Sequence, residues 1–199
     1  RPDPLADDAP VDTTSASLLE RLRTAGPGAA DWRRLHDLYL PLVRAWLAQA
    51  GLAADADDLS QEVLVVLVRE LPGFRRQRDG SFRSWLRQVT VNRVRSWRQA
   101  RVRQPVAGLD PTEQFLRDLA DPASELSGRW DRDHDRHVFQ RLLAAVRPGC
   151  EPATWEAFRL FALEGHSAAD AAARTGLTEN AVMLAKSRLL RRLRQEAAG

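Results

Sequence analysis

Glycine and proline divide this chain of 199 residues into segments of helix length. Proline cannot continue a helix, and glycine readily adopts the left-handed conformation that ends one. Between these stops, apolar residues recur at helical spacing. The predicted helices, in chain order, are Ser15–Ala25, Asp31–Ala50, Asp55–Leu71, Ser81–Arg101, Ser124–Val146, Thr154–Leu163, Ser167–Thr175 and Thr178–Gln195. The sequence therefore predicts an all-α fold, with two helical domains joined by a linker.

One of these segments has the composition of a β-strand. Val63 to Val68 reads Val-Leu-Val-Val-Leu-Val, which by propensity alone favours a strand. Three features favour a helix instead: Asp55 can cap it, acidic residues crowd its first turn, and Pro72 stops it. Its polar residues share one face with Val65, and its other sides are apolar. We therefore expect a central, largely buried helix with one polar stripe.

Charge is strongly sorted along the chain. Residues 69–103 contain eleven arginines and two carboxylates, a net charge of +9, whereas the whole chain carries +3. The aromatic residues that interleave with these arginines are Phe74, Phe82, Trp85 and Trp97. Arginines bind phosphates and aromatic rings stack on bases, so the combination favours a nucleic-acid partner. A solvated helix face is the alternative, which so much like charge disfavours because it repels itself.

An acidic segment follows the basic one. Residues 110–135 contain eight carboxylates and three arginines, a net charge of −5. We interpret residues 105–130 as an acidic linker, with the hypothesis that it shields the basic modules when no nucleic acid is bound. The predicted organisation is a disordered tail over residues 1–14, a helical domain over 15–104, this linker, and a helix-turn-helix domain over 131–199.

Composition disfavours several classes of protein. The lone Cys150 excludes an internal disulfide and a cysteine-based zinc site. No apolar run approaches the roughly 18 residues of a membrane span, and the first residues have no signal-peptide pattern. The sequence has no nucleophile elbow and no phosphate-binding glycine loop. We therefore expect a cytoplasmic protein that is not an enzyme, inserts in no membrane, and uses neither a metal nor another cofactor.

Residues 167–182 have the layout of a helix-turn-helix motif. Ser167 can cap the first helix and Thr178 the second. Gly176 supplies the turn between them, and Leu177 fills the core. The second helix then carries five basic residues, which are Lys186, Arg188, Arg191, Arg192 and Arg194. Such a helix suits the major groove of DNA. An ordinary helical hairpin with a basic end is the alternative.

Four shorter motifs accompany this layout. They are Tyr-Leu-Pro-Leu-Val at 39–43, Asp-Asp-Leu-Ser-Gln-Glu-Val at 57–63, Phe-Arg-Ser-Trp-Leu at 82–86 and Val-Asn-Arg at 91–93. Together with the helix-turn-helix, they resemble the extracytoplasmic-function (ECF) family of bacterial RNA polymerase sigma factors, which belongs to the sigma-70 superfamily. The resemblance covers most of residues 31–103 and 131–195, as regions 2 and 4 of that family.

The resemblance implies binding to core RNA polymerase, at the clamp helices of the largest subunit and the flap of the second-largest subunit. An acidic and amide stripe with one apolar residue suits a basic coiled coil. The implied polymerase-binding residues are Asp57, Asp58, Gln61, Glu62, Val65 and Arg69. The alternative is that these acids only stabilise the start of their helix, which is the role we assign to Asp55.

The resemblance also implies recognition and melting of promoter DNA at the −10 element. Capturing single-stranded DNA requires unstacking a base, which costs a few kcal/mol and must be supplied by binding alone. Asn92 aligns with an asparagine that contacts this element in the family. Trp85 stays open between base stacking and the core, with the core favoured, and Trp97 is assigned to packing. The implied −10 residues are Arg75, Arg76, Arg78, Ser81, Phe82, Arg83, Trp85, Arg87, Asn92 and Arg95.

The second helix of the helix-turn-helix would read the −35 element of duplex DNA. Met183, Leu184 and Ala185 stand where family members often have arginine, lysine or serine. Met183 or Ala185 can contact a thymine methyl group, but neither can make the bidentate guanine contact of arginine. The implied −35 residues are Thr178, Asn180, Met183, Lys186, Ser187, Arg188 and Arg191.

Three other functions stay open beside a bacterial, nucleoid-associated sigma factor. A helix-turn-helix regulator that never meets polymerase would have no use for the acidic helix. An adaptor would bind polymerase without initiating transcription. A Mg²⁺-dependent helical nucleotide hydrolase would need a second acidic motif to face Asp55, Asp57, Asp58 and Glu62. For a sigma factor, the family suggests an anti-sigma factor as a further partner.

Overall fold

The computed structural model describes residue 22 and residues 30–74, 81–101 and 110–198. All regular secondary structure in these ranges is helical, with no β-strand among them. The α-helices are α1 Ala30–Gln49, α2 Ala56–Glu70, α3 Ser81–Arg101, α4 Pro111–Ala120, α5 Glu125–Val146, α6 Pro152–Phe158, α7 Ala168–Thr175 and α8 Glu179–Ala198. The predicted all-α fold is confirmed. The tail over 1–14 and nearly all of the helix predicted over 15–25 lie outside the described residues.

The segment with strand-like composition is helical. α2 runs from Ala56 to Glu70 and ends in a 3-10 turn, Leu71–Gly73. Its buried side chains, which include Leu59, Val63 and Leu67, fall at helical spacing. Because hydrophobic burial over four turns outweighs the β-propensity of valine, α2 forms the centre of its unit. One expectation was wrong in detail, since the Asp55 side chain makes no capping hydrogen bond.

The described residues form two compact units, one ending at Val138 and the other beginning at Phe139. In the first unit, α1 packs on α2, α2 on α3, and α3 on α4. Its core includes large side chains that are almost fully buried, such as Leu35, Tyr39 and Trp46.

The structure differs from the predicted organisation over residues 105–130. The described part of this range is mostly helical and belongs to the first unit, with α4 and the start of α5. Leu116 and Leu119 bury one face of α4. On α5, Trp130 is fully buried and its ring lies 5.1 Å from that of Trp46. Net charge suggested a solvated linker, but apolar burial at these three positions holds the segment in place.

In the second unit, α6, α7 and α8 pack against one another. A π-helical turn, Arg159–Leu163, follows α6. The core of these helices is built from small and branched residues, namely Ala157, Leu160, Ala171, Ala172, Val182 and Ala185. Alanines at the contact allow the helix backbones to approach closely, which fixes the outward face of α8.

Candidate functional site

The polar stripe of α2 lines a surface groove of about 550 Å³. The groove brings together five of the six residues predicted to bind polymerase, with Val66 and Arg93 completing it; the five are Asp58, Gln61, Glu62, Val65 and Arg69. Val65 is 65% exposed, which is unusual for a valine in a helix whose other apolar residues are mostly buried. The groove therefore combines two carboxylates, two arginines and an amide with an apolar contact point.

Ion pairs hold some of the charged side chains that line this groove. The guanidinium of Arg93, on α3, donates to the Glu62 carboxylate at 2.5 Å and so holds that side chain in place. Arg69 pairs with its neighbour Glu70 at 3.0 Å. Among the described residues, no ion pair or hydrogen bond engages the Asp58 carboxylate, which is exposed. Asp58 is thus the carboxylate most available to a basic partner.

Asp57 lies apart from the groove. Its carboxylate pairs with Arg44 of α1 at 2.9 Å. Asp55 is likewise engaged, by Arg101 at 2.9 Å. The acidic residues 55–62 therefore point to different neighbours instead of gathering around one point, and no group of three His, Cys, Asp or Glu in the described ranges is placed to hold a metal ion.

Arginines at the start of α3 are engaged by carboxylates of α5. Arg83 donates to Asp135 at 3.1 Å and pairs with Asp131 at 3.4 Å. Arg87 is only 5% exposed and donates to Asp131 at 3.1 Å and to the backbone oxygen of Ser127 at 3.3 Å. A charged group so deeply buried needs such partners, because desolvation would otherwise be costly.

Arginines at the end of α3 are engaged by the start of α4. Arg95 pairs with Glu113 at 3.3 Å, and Arg98 pairs with both Glu113 and Asp110. Asp110 also caps α4 by accepting from the backbone N–H of Thr112 at 2.9 Å. The acidic segment that follows the basic one in sequence thus lies directly on it in the structure.

An aromatic cluster sits beside these ion pairs. Phe82 is 4% exposed, and its ring lies 5.3 Å from that of Tyr39. Trp85 is half-buried, with its ring 4.9 Å from Phe74 and 5.6 Å from Phe82. Trp97 is also half-buried, and the guanidinium of Arg101 lies 4.3 Å from its ring centre. Contacts within the protein therefore cover much of the surface of each of these rings.

Two of the residues predicted to contact the −10 element differ from that expectation in this structure. Phe82 and Arg87 are buried, so neither side chain is on the surface that DNA would meet. Arg83 and Arg95 are partly exposed but already paired. The predicted contacts Arg75, Arg76, Arg78 and the side chain of Ser81 lie outside the described residues.

The exposed ridge of α3 is uncharged. Its members share one face of the helix, at spacings of three and four, and each is exposed: Gln88, Asn92, Ser96 and Gln99. The sequence predicts Asn92 as a contact of the −10 element but does not single out the other three, because arginines dominate the composition of this segment. Amides and hydroxyls donate and accept hydrogen bonds, so the ridge is suited to base edges more than to phosphates.

In the second unit, local hydrogen bonds fix the start of both α7 and α8. The Ser167 hydroxyl accepts from the backbone N–H of Asp170 at 3.0 Å, and the Thr178 hydroxyl accepts from that of Ala181 at 3.2 Å. Gly176 ends α7 with a φ of 71°, a left-handed conformation that suits glycine. Leu177, between them, packs against the alanine-rich core. These positions are the ones that the sequence assigned to caps, turn and core.

The outward face of α8 contains most of the residues predicted to contact the −35 element. The exposed members are Asn180, Met183, Ser187, Arg188 and Arg191. Lys186 lies to one side, half-buried, with its ammonium 5.9 Å from the Phe161 ring centre. Ala185 is 2% exposed, so it cannot contact a thymine methyl group as expected; Leu184, which sequence analysis did not select, is 44% exposed.

Hydrogen bonds of arginine and glutamate side chains stabilise α6 and the π-helical turn that follows it. Arg159, in the π-helical turn, donates to Glu156 at 2.9 Å and also binds Glu164. The hydrogen bond from Arg159 lowers the pKa of Glu156. Glu151 caps α6, and the backbone N–H of Thr154 lowers the pKa of its carboxyl.

None of the described helices is both long and apolar enough to cross a membrane.

Comparison with known proteins gave one finding, which concerns the first unit. Neither the search of curated proteins nor that of solved structures found a match. The scan of protein families found sigma-70 region 2 over residues 35–104, about a third of the chain. That family consists of transcription factors without enzymatic activity, and it binds core RNA polymerase and promoter DNA. Residues 35–104 are therefore similar to sigma-70 region 2.

Proposed function

We propose that this chain is an ECF-type sigma factor. It would bind core RNA polymerase, recognise −10 and −35 promoter elements, help to melt the promoter and start transcription. The observation that carries the proposal is the adjacency of two surfaces within the region 2 domain. The polar groove of α2 and the uncharged ridge of α3 meet at consecutive residues, since Arg93 lines the groove and Asn92 belongs to the ridge.

Docking on polymerase would use the carboxylates and the exposed valine of the polar groove of α2. Asp58 is exposed and unpaired among the described residues, Glu62 is held by Arg93, and Val65 presents an apolar side chain. A basic coiled coil such as the clamp helices offers charge opposite to these carboxylates and some apolar surface for Val65. Charge complementarity of this kind speeds encounter and orients the partners more than it adds affinity.

Recognition of the −10 element would use the ridge of α3. An unstacked base exposes its hydrogen-bonding edge, which Asn92 and its exposed neighbours can bond. Arg83 and Arg95 can reach phosphates only by exchanging their carboxylate partners for them. Arginine binds both groups with similar geometry, so this exchange is chemically feasible but has to displace Asp135 and Glu113.

Recognition of the −35 element would use the outward face of α8. Its second half carries Arg188 and Arg191, which suit phosphates, and its first half carries Asn180, which suits a base edge. The support is the pair of capped helices joined at Gly176, with the second one presenting a long exposed face. An unusual apolar pair within that face also keeps an adaptor function open.

In-vitro transcription tests the proposal directly. The full chain is added to bacterial core RNA polymerase on a library of genomic promoters, with polymerase alone as the control. Transcripts that start downstream of a shared motif are expected, and they would supply the −10 and −35 sequences together. Binding to core without transcripts would favour an adaptor. Duplex binding without binding to core would favour a helix-turn-helix regulator and overturn the proposal.

A further inference from the structure

The outward face of α8 has two adjacent apolar residues in its second turn. The side chains of Val182 and Ala185 are buried in one core cluster with residues of α6 and α7, and Leu189 is also buried. On the opposite side, Met183 is 53% exposed and Leu184 is 44% exposed. They are two of the four large apolar residues that are exposed in the described part of the chain, and they are adjacent. A single exposed leucine needs no explanation, but a pair within a polar face suggests a contact.

The surroundings of this pair are basic. Arg188 and Arg191 follow it on the same face, and neither has a carboxylate partner among the described residues. The carboxylates of α8 are Glu179, in its first turn at the edge of this face, and Glu196, near its end. A partner for this surface must therefore offer negative charge beside small apolar groups.

Duplex DNA has this combination in its major groove. Phosphates line both edges of the groove, and the only apolar group on its floor is the thymine methyl. Methionine has a flexible thioether that adapts to such a contact, and leucine is of similar size. Asn180, one turn before the pair, can bond bidentately to adenine. Neither apolar side chain can bond to guanine, so this part of the face favours A·T pairs.

We propose that Met183 and Leu184 are specificity-determining residues that contact thymine methyl groups of duplex DNA. The inference rests on the proposed −35 function and deepens it, because it names the chemical group that this helix reads. The full chain would prefer duplexes with A·T pairs where the two side chains lie, and its affinity there would depend on the methyl groups themselves.

Replacement of thymine by deoxyuridine tests this, since it removes only the methyl group. Duplexes are first selected from a random library by the full chain, and each thymine of the selected sequence is then replaced in turn. We expect one or two positions at which affinity falls about fourfold, which corresponds to the ~0.8 kcal/mol gained by burying one methylene-sized group. Equal affinity at every replaced position would overturn the proposal.

Variants of the pair provide the matched comparison. Both positions are exposed, so Met183→Ala and Leu184→Ala should leave the fold unchanged, which circular dichroism checks. The double variant should bind thymine and deoxyuridine duplexes equally. Val68→Ala, which removes an exposed apolar side chain from α2, should keep the fourfold difference. Retention of the difference in the double variant would assign the methyl contact to other residues and overturn the proposal.

Binding to core polymerase, measured on the same preparation, separates this inference from the proposed function. If the chain binds core and initiates but is insensitive to deoxyuridine, the inference fails alone. If it does not bind core but is sensitive to deoxyuridine, the proposed function fails and the inference holds for a duplex-binding protein. If it binds no duplex at all, the inference fails, and an acidic protein becomes the better partner for this face.

Discussion

Arg87 of α3 and Asp131 of α5 form an ion pair of 3.1 Å, although 44 residues separate them in sequence. Arg87 is almost fully buried, whereas Asp131 is about a third exposed. The charge of Arg87 therefore needs its partner more than the charge of Asp131 does, because Asp131 is also in contact with water. Loss of the carboxylate would leave a buried positive charge with only the Ser127 carbonyl as a hydrogen-bond acceptor.

We predict that Asp131→Ala lowers the free energy of unfolding by roughly 1–3 kcal/mol, the range for removing a partner of a buried polar or charged group. Chemical denaturation of the full chain, followed by circular dichroism, measures it. The matched control is Asp133→Ala on the same helix, whose partners Arg129 and Arg136 are exposed and lie 3.8 and 3.5 Å away. Equal effects of the two variants would contradict the prediction.

The ion pair between Arg87 and Asp131 could not be predicted from the sequence. The eleven arginines in 69–103 indicate a polyanion, and six of them are predicted to contact DNA because of their charge. Whether an arginine faces solvent or a carboxylate far along the chain depends on tertiary packing, which periodicity within one helix does not reveal. Arg87 was therefore assigned to DNA, although Leu86 and Val89 beside it mark that part of α3 as buried.

Local signals were more reliable than charge. The caps at Ser167 and Thr178 and the turn at Gly176 were predictable because each depends on a few adjacent residues. The buried helix α2 was predictable from its stop at Pro72, despite its valines. The helix α4, in the segment interpreted as a linker, was not predicted. The charge of that segment concealed a weak apolar pattern, in which Leu116 and Leu119 are spaced for one helix face.

Charge reversal of the carboxylates in the polar groove of α2 should abolish binding to core polymerase. We predict this for Asp58→Lys combined with Glu62→Lys, because both face a partner expected to be basic. Asp58→Lys alone should weaken binding and cost little stability, about 0.3–1 kcal/mol, because its carboxylate has no partner among the described residues apart from the positive end of the α2 dipole. The assay is co-purification with core enzyme, and Asp37→Lys, an exposed position on α1, is the control. Full binding by a folded double variant would remove the groove from the docking surface.

Substitution of the exposed amide on α3 should affect −10 recognition alone. We predict that Asn92→Ala reduces initiation about 10-fold at the preferred promoter, on the order of 1–3 kcal/mol for a lost base contact. On pre-melted templates carrying each −10 substitution, the variant should discriminate less among bases than the parent does. Gln140→Ala, an exposed amide on α5, should behave as the parent. Unchanged discrimination by Asn92→Ala would show that this amide does not read a base.

The salt dependence of duplex binding distinguishes arginines that contact phosphate from those that stabilise the fold. Arg188, Arg191 and Arg192 are all exposed, but of the three only Arg192 has a partner in the described residues, since its guanidinium donates to the Gly149 carbonyl oxygen at 2.5 Å. Each phosphate contact contributes about 0.9 to the slope of log affinity against log salt concentration, because it releases condensed counterions. We predict that Arg188→Gln and Arg191→Gln each reduce the slope by about this amount, and that Arg192→Gln leaves it unchanged. Fluorescence anisotropy of a labelled duplex over a salt series measures the slopes. Equal reductions in all three variants would mean that α8 binds DNA through its overall charge, and not through the face that carries Asn180, Met183 and Leu184.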